Sequence, residues 1–414
     1  MSGRRLFVDI GPLRHSRDFR LLFSGQLVST LGSQLTVVAV PYQVYRMTHS
    51  SLDVGLVSLA QLGPLLVCSM IGGAVADAHD RRRLLLVTEL LLAAVSAGLA
   101  INGTLSHPSL WPLFALPAAA GGLSGFDRPA FSASIPRMLA SPDLTAAYAL
   151  WQVQMQVGIV VGPAIAGIIL STAGLSVVYW LDVGSFVVSW FAVLAFSPQP
   201  PHEGARPASW RSIREGFAYL RGRQALQGVF LLDINAMVFG MPRALFPALG
   251  LGFFHGGAPT VGLLYAAPGG GALLGALTTG WVNVIRRQGR AVIVAVAIWG
   301  VAITLFGLVD VLWVALALLA IAGWADVVSA VFRNTILQTA VPDELRGRLS
   351  AVQIAVVQGG PRLGDLEAGG VADAFGTSFS VVSGGIACVV GALLLAGALP
   401  GFRTQQAAAS ASIR

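Results

Sequence analysis

From Ser378 to Leu399 the chain runs twenty-two residues without one charged side chain. As a helix such a run is ~33 Å long at ~1.5 Å per residue, enough to cross the ~30 Å hydrocarbon core of a bilayer. Similar runs recur from end to end. Only 11% of the 414 residues are charged and 55% are hydrophobic, with a mean hydropathy of +0.75. A soluble domain carries about 25% charged residues and needs them to cover its surface. The composition therefore predicts a polytopic membrane protein and excludes an ordinary soluble one.

Twelve spans are expected, at roughly 20–45, 53–76, 84–104, 110–134, 145–171, 175–196, 225–249, 259–284, 291–309, 311–339, 346–373 and 378–399. The seventh and eleventh are the most burdened with charge. The net charge is +7, and all basic residues apart from histidine are arginine. They gather in the even-numbered connections: Arg81–Arg83, Arg137, Arg206 to Arg223, Arg286 to Arg290, Arg346 and Arg348, with Arg403 in the tail. Among the odd-numbered connections only Arg46 appears. That alternation is the positive-inside pattern, not a nucleic-acid-binding face, and it puts both termini in the cytoplasm. The absence of lysine beside abundant alanine and glycine fits a GC-rich bacterial genome, hence a bacterial inner membrane. The arginine-rich start contains no apolar core of a cleavable leader.

One long polar connection, 197–224, opens on Pro198, Pro200 and Pro201. It continues as an amphipathic stretch with Trp210, Ile213, Phe217 and Leu220 on one face, suited to lie on an anionic leaflet. It separates a six-span half, 1–196, from a second, 225–414. The halves repeat. Val54-Gly55-Leu56-Val57 and Ala60 match Val261-Gly262-Leu263-Leu264 and Ala267, 207 residues on; Gly73 and Arg83 match Gly280 and Arg290 in that register. Gly162, Gly167 and Gly174 match Gly364, Gly369 and Gly376 at 202. Duplicated six-span halves are the architecture of secondary transporters. The expected fold is all-α, twelve transmembrane helices in two six-helix bundles related by a pseudo-two-fold axis.

Between spans two and three stand Gly73, Asp77, Asp80, Arg81, Arg82 and Arg83. Taken alone, three arginines after a span signal topology. Their spacing from Gly73 and Asp77 resembles the Gly-x-x-x-Asp-x-x-Gly-Arg-Arg/Lys loop of the major facilitator superfamily, with Asp80 in place of the second glycine. The resemblance implies that Asp77 faces the N-terminal end of span eleven and latches the cytoplasmic side, with the arginines adding charge pairs. Span five carries Gly158, Gly162, Pro163 and Gly167. Small residues at this spacing let helices approach closely, and the proline bends the span. The set also resembles the superfamily's antiporter motif, with Ala166 replacing a glycine. That implies glycines sliding between the halves and favours export over import. The passages "DIGPLRHSRDFRLLFSGQLVSTLGSQ", "RNTILQTAVPDELRGR" and "GPRLGDLEAG" resemble the enterobactin-exporter-like branch, which implies siderophore or drug export driven by proton entry.

Ionisable residues inside spans are functional candidates because each costs ~2.5–3.5 kcal/mol at the bilayer centre on insertion scales. Asp127 and Arg128 in span four, Asp233 in span seven and Asp326 in span ten fall near mid-depth, and Arg333 in span ten adds positive charge to the same region. The resemblance places spans one, four, seven and ten around a central cavity, where Gln34 and Asn235 would add hydrogen-bonding groups. The arginines would suit an anionic catecholate and the aspartates a cationic amphiphile. An internal ion pair that never titrates is the competing role for any one aspartate. In span eleven, Arg362 and Asp365 are three apart and can pair, while Glu367 lies about 200° around the helix from Asp365. The expectation there is an ion-paired gate with Glu367 as a pH-sensitive neighbour, or a purely structural pair.

Nothing resembles a nucleotide-binding Gly-x-x-x-x-Gly-Lys loop, a His-Glu-x-x-His helix or a Gly-x-Ser-x-Gly elbow, and six scattered histidines suggest no zinc site. No cofactor is expected. Cys68 and Cys388 read as small buried hydrophobes. The expected partners are a small-molecule substrate, protons and the bilayer around a monomer, as in relatives. The rival readings are an importer, or a receptor or scaffold that keeps the fold without transport.

Overall fold

A computed structural model describes residues 9–200 and 218–406. Twelve long helices carry the described chain: α1 (Arg17–Thr48), α2 (Ser51–Ala78), α3 (Arg81–Thr104), α4 (Trp111–Met138), α5 (Leu144–Thr172), α6 (Leu175–Ala195), α7 (Gln224–Phe239), α8 (Gly257–Thr278), α9 (Gln288–Phe306), α10 (Leu312–Ala340), α11 (Asp343–Phe375) and α12 (Thr377–Ala398). The expected all-helical layout, two sets of six, is the one found. The amphipathic face at Trp210, Ile213 and Phe217 lies outside the described residues.

Among the described residues, ten stretches are long and apolar enough to cross a membrane by length and composition. The two long helices that fall short are α4, with Pro117, Pro129 and Pro136 inside it, and α11, with Arg362, Asp365, Glu367 and Asp373. The fourth span, rather than the seventh, is thus the marginal one beside the eleventh. Both helices carry polar groups that lipid would not solvate, so they need protein around them.

The seventh span is not one continuous helix, as the sequence suggested. α7 ends at Phe239, and the chain resumes through a 3-10 turn (Arg243–Leu245), one helical turn (Phe246–Ala248) and a π turn (Leu249–Phe253). Gly240 and Pro242 explain the break. Glycine is a weak helix former, and proline neither donates to the preceding turn nor lets its predecessor stay helical.

Proximity divides the chain into two compact units. One gathers the described residues of Met1–Met47, Ala60–Ala208 and Gly257–Ala266; the other gathers Thr48–Leu59, Ser209–Gly256 and Ala267–Arg414. The sequence repeat is written into each. In the first unit a Cβ on Gly158 would stand 2.7 Å from Thr30 Cγ2, and one on Gly162 would strike Gln34, so α5 lies directly on α1. A Cβ on Gly167 would stand 2.8 Å from the Ala258 carbonyl at the start of α8, and Gly262 closes on Pro163 and Gly167. In the second unit Gly360 and Gly364 lie on Met237 and Val238 of α7, while Gly369 meets Ser51 and Gly55 meets Asp365 at the start of α2. Close approach of small residues is the main packing device available among helices in lipid. Gly174 and Gly376, 202 apart, both take positive φ (86° and 96°) at the starts of α6 and α12, a conformation that side chains resist.

Candidate functional site

The charged centre of the second unit is built on α10. Asp326 and Arg333 are seven apart, two turns of helix, and therefore share a face. α7 supplies Asp233. Arg333 Nη1 lies 2.9 Å from Asp233 Oδ1, and its Nη2 lies 3.5 Å from Asp326 Oδ1. One guanidinium thus spans two carboxylates from its two arms, which a lysine could not do. Asp233 and Arg333 are buried, whereas the Asp326 side chain is 30% exposed. Ser329 sits between them on the α10 face, fully buried, with no hydrogen-bond partner for its hydroxyl among the described residues. The triad carries one positive and two negative charges. Sequence reasoning named all three residues, and the fold brings them together.

Asn235 goes elsewhere. Its amide donates to the Cys388 carbonyl at 2.8 Å, and a Cβ on Gly391 would collide with its oxygen, so it joins α7 to α12. Cys388 is buried and Cys68 half-buried, both as free thiols. Gln34 lays its aliphatic carbons on Gly158 and Gly162. Gly158 and Gly162 are packing positions against α1, whereas Gly167 meets the start of α8, a helix of the second half of the sequence. Only the spacing was legible, and spacing alone does not name the facing helix.

In the first unit, Asp127 is half-buried and accepts a hydrogen bond from Thr88 Oγ1 at 2.9 Å, while its neighbour Arg128 is exposed. Two further acids, absent from the sequence-based candidates, are buried here: Glu89 on α3 and Asp182 on α6, 2% and 1% exposed. Their signal was available, a lone carboxylate in the midst of an apolar run.

The loop before α3 is tightly tied. Asp77 pairs with Arg81 at 3.5 Å, and Arg81 also donates to the Ala76 and Ala133 carbonyls at 3.3 and 3.0 Å. Asp80 caps α3 by accepting from the Arg82 amide at 2.9 Å, and it accepts the Gln199 amide at 3.1 Å. Arg82 binds the Val193 and Leu194 carbonyls, Arg137 binds that of Pro200, and Arg83 is exposed. The aspartate that replaces the signature's second glycine therefore straps down the chain leaving α6. Gly73 has open space around it among the described residues; the close approach belongs to Gly72, which abuts the Gly125 carbonyl of α4.

In α11, Asp365 meets described partners outside its own helix. Asp365 is buried and meets Arg243, from the break after α7, with Arg243 Nη2 at 3.5 Å from its Oδ2. It also accepts the Ala244 amide at 3.2 Å, while Arg362 donates to the Gln358 carbonyl at 2.6 Å. A broken helix frees backbone donors, and in lipid these need a partner inside the protein. Asp365 is that partner. Asp365→Ala is expected to raise amide hydrogen exchange at Ala244 at least tenfold; unchanged protection would refute this support. Glu367 is half-buried on the same helix and hydrogen-bonds no other described residue.

The family described as "MFS_3: Transmembrane secretion effector" matches residues 8–413. The chain is 30% identical over 395 residues to "Enterobactin exporter EntS" of Citrobacter koseri, and 29% identical over 402 residues to the protein of that name from Shigella boydii. Each match covers 95% of both chains. Among solved structures, a POT family transporter in complex with 5-aminolevulinic acid superposes with a TM-score of 0.75 at 13% identity, covering 94% of this chain and 97% of that one. The nucleoside transporter NupG superposes at 0.72 and 12%, covering 93% and 98%. A bacterial homologue of ferroportin gives 0.70 and 15%, covering 94% and 99%. Below 25% identity these show the fold alone. Spanning helices and exporter relatives make this a multi-pass protein of the bacterial inner membrane, a transporter of small molecules and not an enzyme. With the duplicated glycine packing, the charged triad and a family match along nearly its whole length, the chain belongs to the transmembrane secretion effectors of the major facilitator superfamily.

Proposed function

We propose that the chain exports a small molecule, a siderophore or a drug, in exchange for protons, by alternating access. The observation that carries this reading is Arg333 shared between a buried Asp233 and a partly exposed Asp326. Asp326 is the less enclosed of the two acids, so we assign to it the proton that is gained and lost. Protonated, it releases its arm of Arg333, the guanidinium settles on Asp233, and the triad becomes neutral. Deprotonated, it shares Arg333 again and the triad carries one negative charge. A two-state charge of this kind couples to transport when the two states bind substrate differently.

Enterobactin, the cargo named for the Citrobacter koseri relative, is the first substrate to try. Exposed Arg128 suits an anionic catecholate, and the triad's spare negative charge suits a cationic drug. The proton gradient supplies the energy without a cofactor, the monomer is the working unit, and both termini lie in the cytoplasm as the arginine pattern indicates.

Everted vesicles with an inside-acid pH gradient test the reading. Enterobactin or a cationic drug is expected to collapse the gradient with the wild type, and Asp326→Asn is expected to reduce that response at least tenfold. A folded, inserted protein that responds to neither compound would overturn the proposal for these substrates. An unimpaired Asp326→Asn would remove Asp326 from the coupling.

A further inference from the structure

The buried acids of the first unit, Glu89 and Asp182, lie outside the triad and form no ion pair among the described residues. Asp182 Oδ2 accepts from Thr36 Oγ1 of α1 and Ser96 Oγ of α3, both at 2.7 Å, and its Oδ1 meets Ser185 Oγ at 3.5 Å. Glu89 Oε1 accepts from Ser189 Oγ of α6 at 2.7 Å. Its Oε2 is buried with no hydrogen-bond partner among the described residues.

These groups stand in a column. Tyr179, Asp182, Ser185 and Ser189 follow one face of α6 at spacings of three and four. Ser189 to Tyr179 is ten residues, ~15 Å along the helix or about half the hydrocarbon thickness. At the upper end Tyr179 donates to Gln43 Oε1 at 2.8 Å, and the Gln43 amide nitrogen is buried without a partner among the described residues. At the lower end Thr88, beside Glu89, donates to Asp127 Oδ1 at 2.9 Å.

The charged and titratable groups around the column are few. Glu89 lies within electrostatic reach of both Asp127 and Asp182. Arg82, two turns below it on α3, is held by the Val193 and Leu194 carbonyls, and Arg128 adjoins Asp127. α5 also packs on α6 and contributes Tyr148 as its one titratable side chain. Two carboxyl groups without a basic partner are a poor packing device, since apolar residues would fill the same space without the insertion cost.

We propose that this column is a proton path through the first unit, in which Asp182 and Glu89 bind a proton in turn between the Tyr179–Gln43 end and Asp127. At each step one O–H bond breaks and another forms. A carboxyl receives a proton on one oxygen and releases one from the other, while the Thr36, Ser96, Ser185 and Ser189 hydroxyls rotate between donor and acceptor. No electrons move. The path rests on the antiport reading above, for which it supplies the route.

Infrared difference spectroscopy of the full-length chain in liposomes, on a step from pH 10 to pH 5 in H2O and D2O, needs no substrate. Carboxylic-acid C=O bands are expected, one lost in Glu89→Gln and another in Asp182→Asn. In Asp182→Asn the Glu89 band is expected to deuterate at least tenfold more slowly. Thr36→Ala/Ser96→Ala keeps the carboxyl, removes its two donors, and gives the same slowing if the aspartate variant does not fold. Unchanged bands in both single variants, or wild-type deuteration of Glu89 in either blocked variant, would overturn the path. Intact bands in a protein that fails the vesicle assay would overturn antiport of those compounds, while proton binding in turn by Asp182 and Glu89 would stand.

Discussion

Arg333→Ala lowers the thermal stability of the purified transporter more than any other single charge removal in the second unit. The substitution strands Asp233, 5% exposed, without the guanidinium 2.9 Å away. Breaking a buried pair from one side costs ~3–5 kcal/mol, because the surviving charge keeps its desolvation penalty and loses its compensation. Adding Asp233→Asn removes that stranded charge, so the double variant is expected to recover more than half of the lost melting temperature. Neither variant transports against a pH gradient. Arg333→Lys separates fold from coupling: one ammonium retains the charge beside Asp233 but cannot reach both carboxylates. Its melting temperature stays near that of the wild type while gradient-driven transport falls at least tenfold. Wild-type stability in Arg333→Ala would mean that the pair is not buried in the membrane-embedded protein.

The second large effect separates two adjacent glycines. Gly72→Ala drives a methyl group into the Gly125 carbonyl and the Phe126 Cα of α4, both backbone atoms that no rotamer change can move. Overpacking of this kind costs ~1–3 kcal/mol or more. Gly73→Ala meets open space among the described residues, and alanine is the better helix former by ~1 kcal/mol. The expected result is a melting temperature several degrees lower for Gly72→Ala and unchanged or higher for Gly73→Ala. The reverse order would show that the signature glycine carries the packing after all.

The two experiments probe different kinds of legibility. Gly73 is conspicuous by its place in a spaced signature, whereas Gly72 is conspicuous only beside Gly125, more than fifty residues away. Asp233, Asp326 and Arg333 were visible as charges in apolar spans, and the helical period put two of them on one face. Glu89 and Asp182 carry the same signal, but they lie in spans three and six, outside the four that the family resemblance places around a cavity. Arg362–Asp365 looked like a pair because they are three apart. The described partners of Asp365 stand outside its helix, where Gly240 and Pro242 break α7 and free the Ala244 amide.

The sequence by itself determined that the chain is a helical membrane protein, how many times it crosses, and that its halves are copies. Those properties follow from the lengths of apolar runs, the period of the helix and a repeated register, all local or self-comparing quantities. The tertiary structure alone decided which helix each glycine touches, which arginine each aspartate meets, and that Asp80 straps the chain leaving α6. It also aligned Tyr179, Asp182, Ser189 and Glu89 into one column. The reason is physical: a helix of this composition can present any of its faces to a neighbour at similar cost in lipid, since lipid chains are as apolar as leucine. Packing of small residues and satisfaction of buried polar atoms break that tie, and both are properties of pairs of helices.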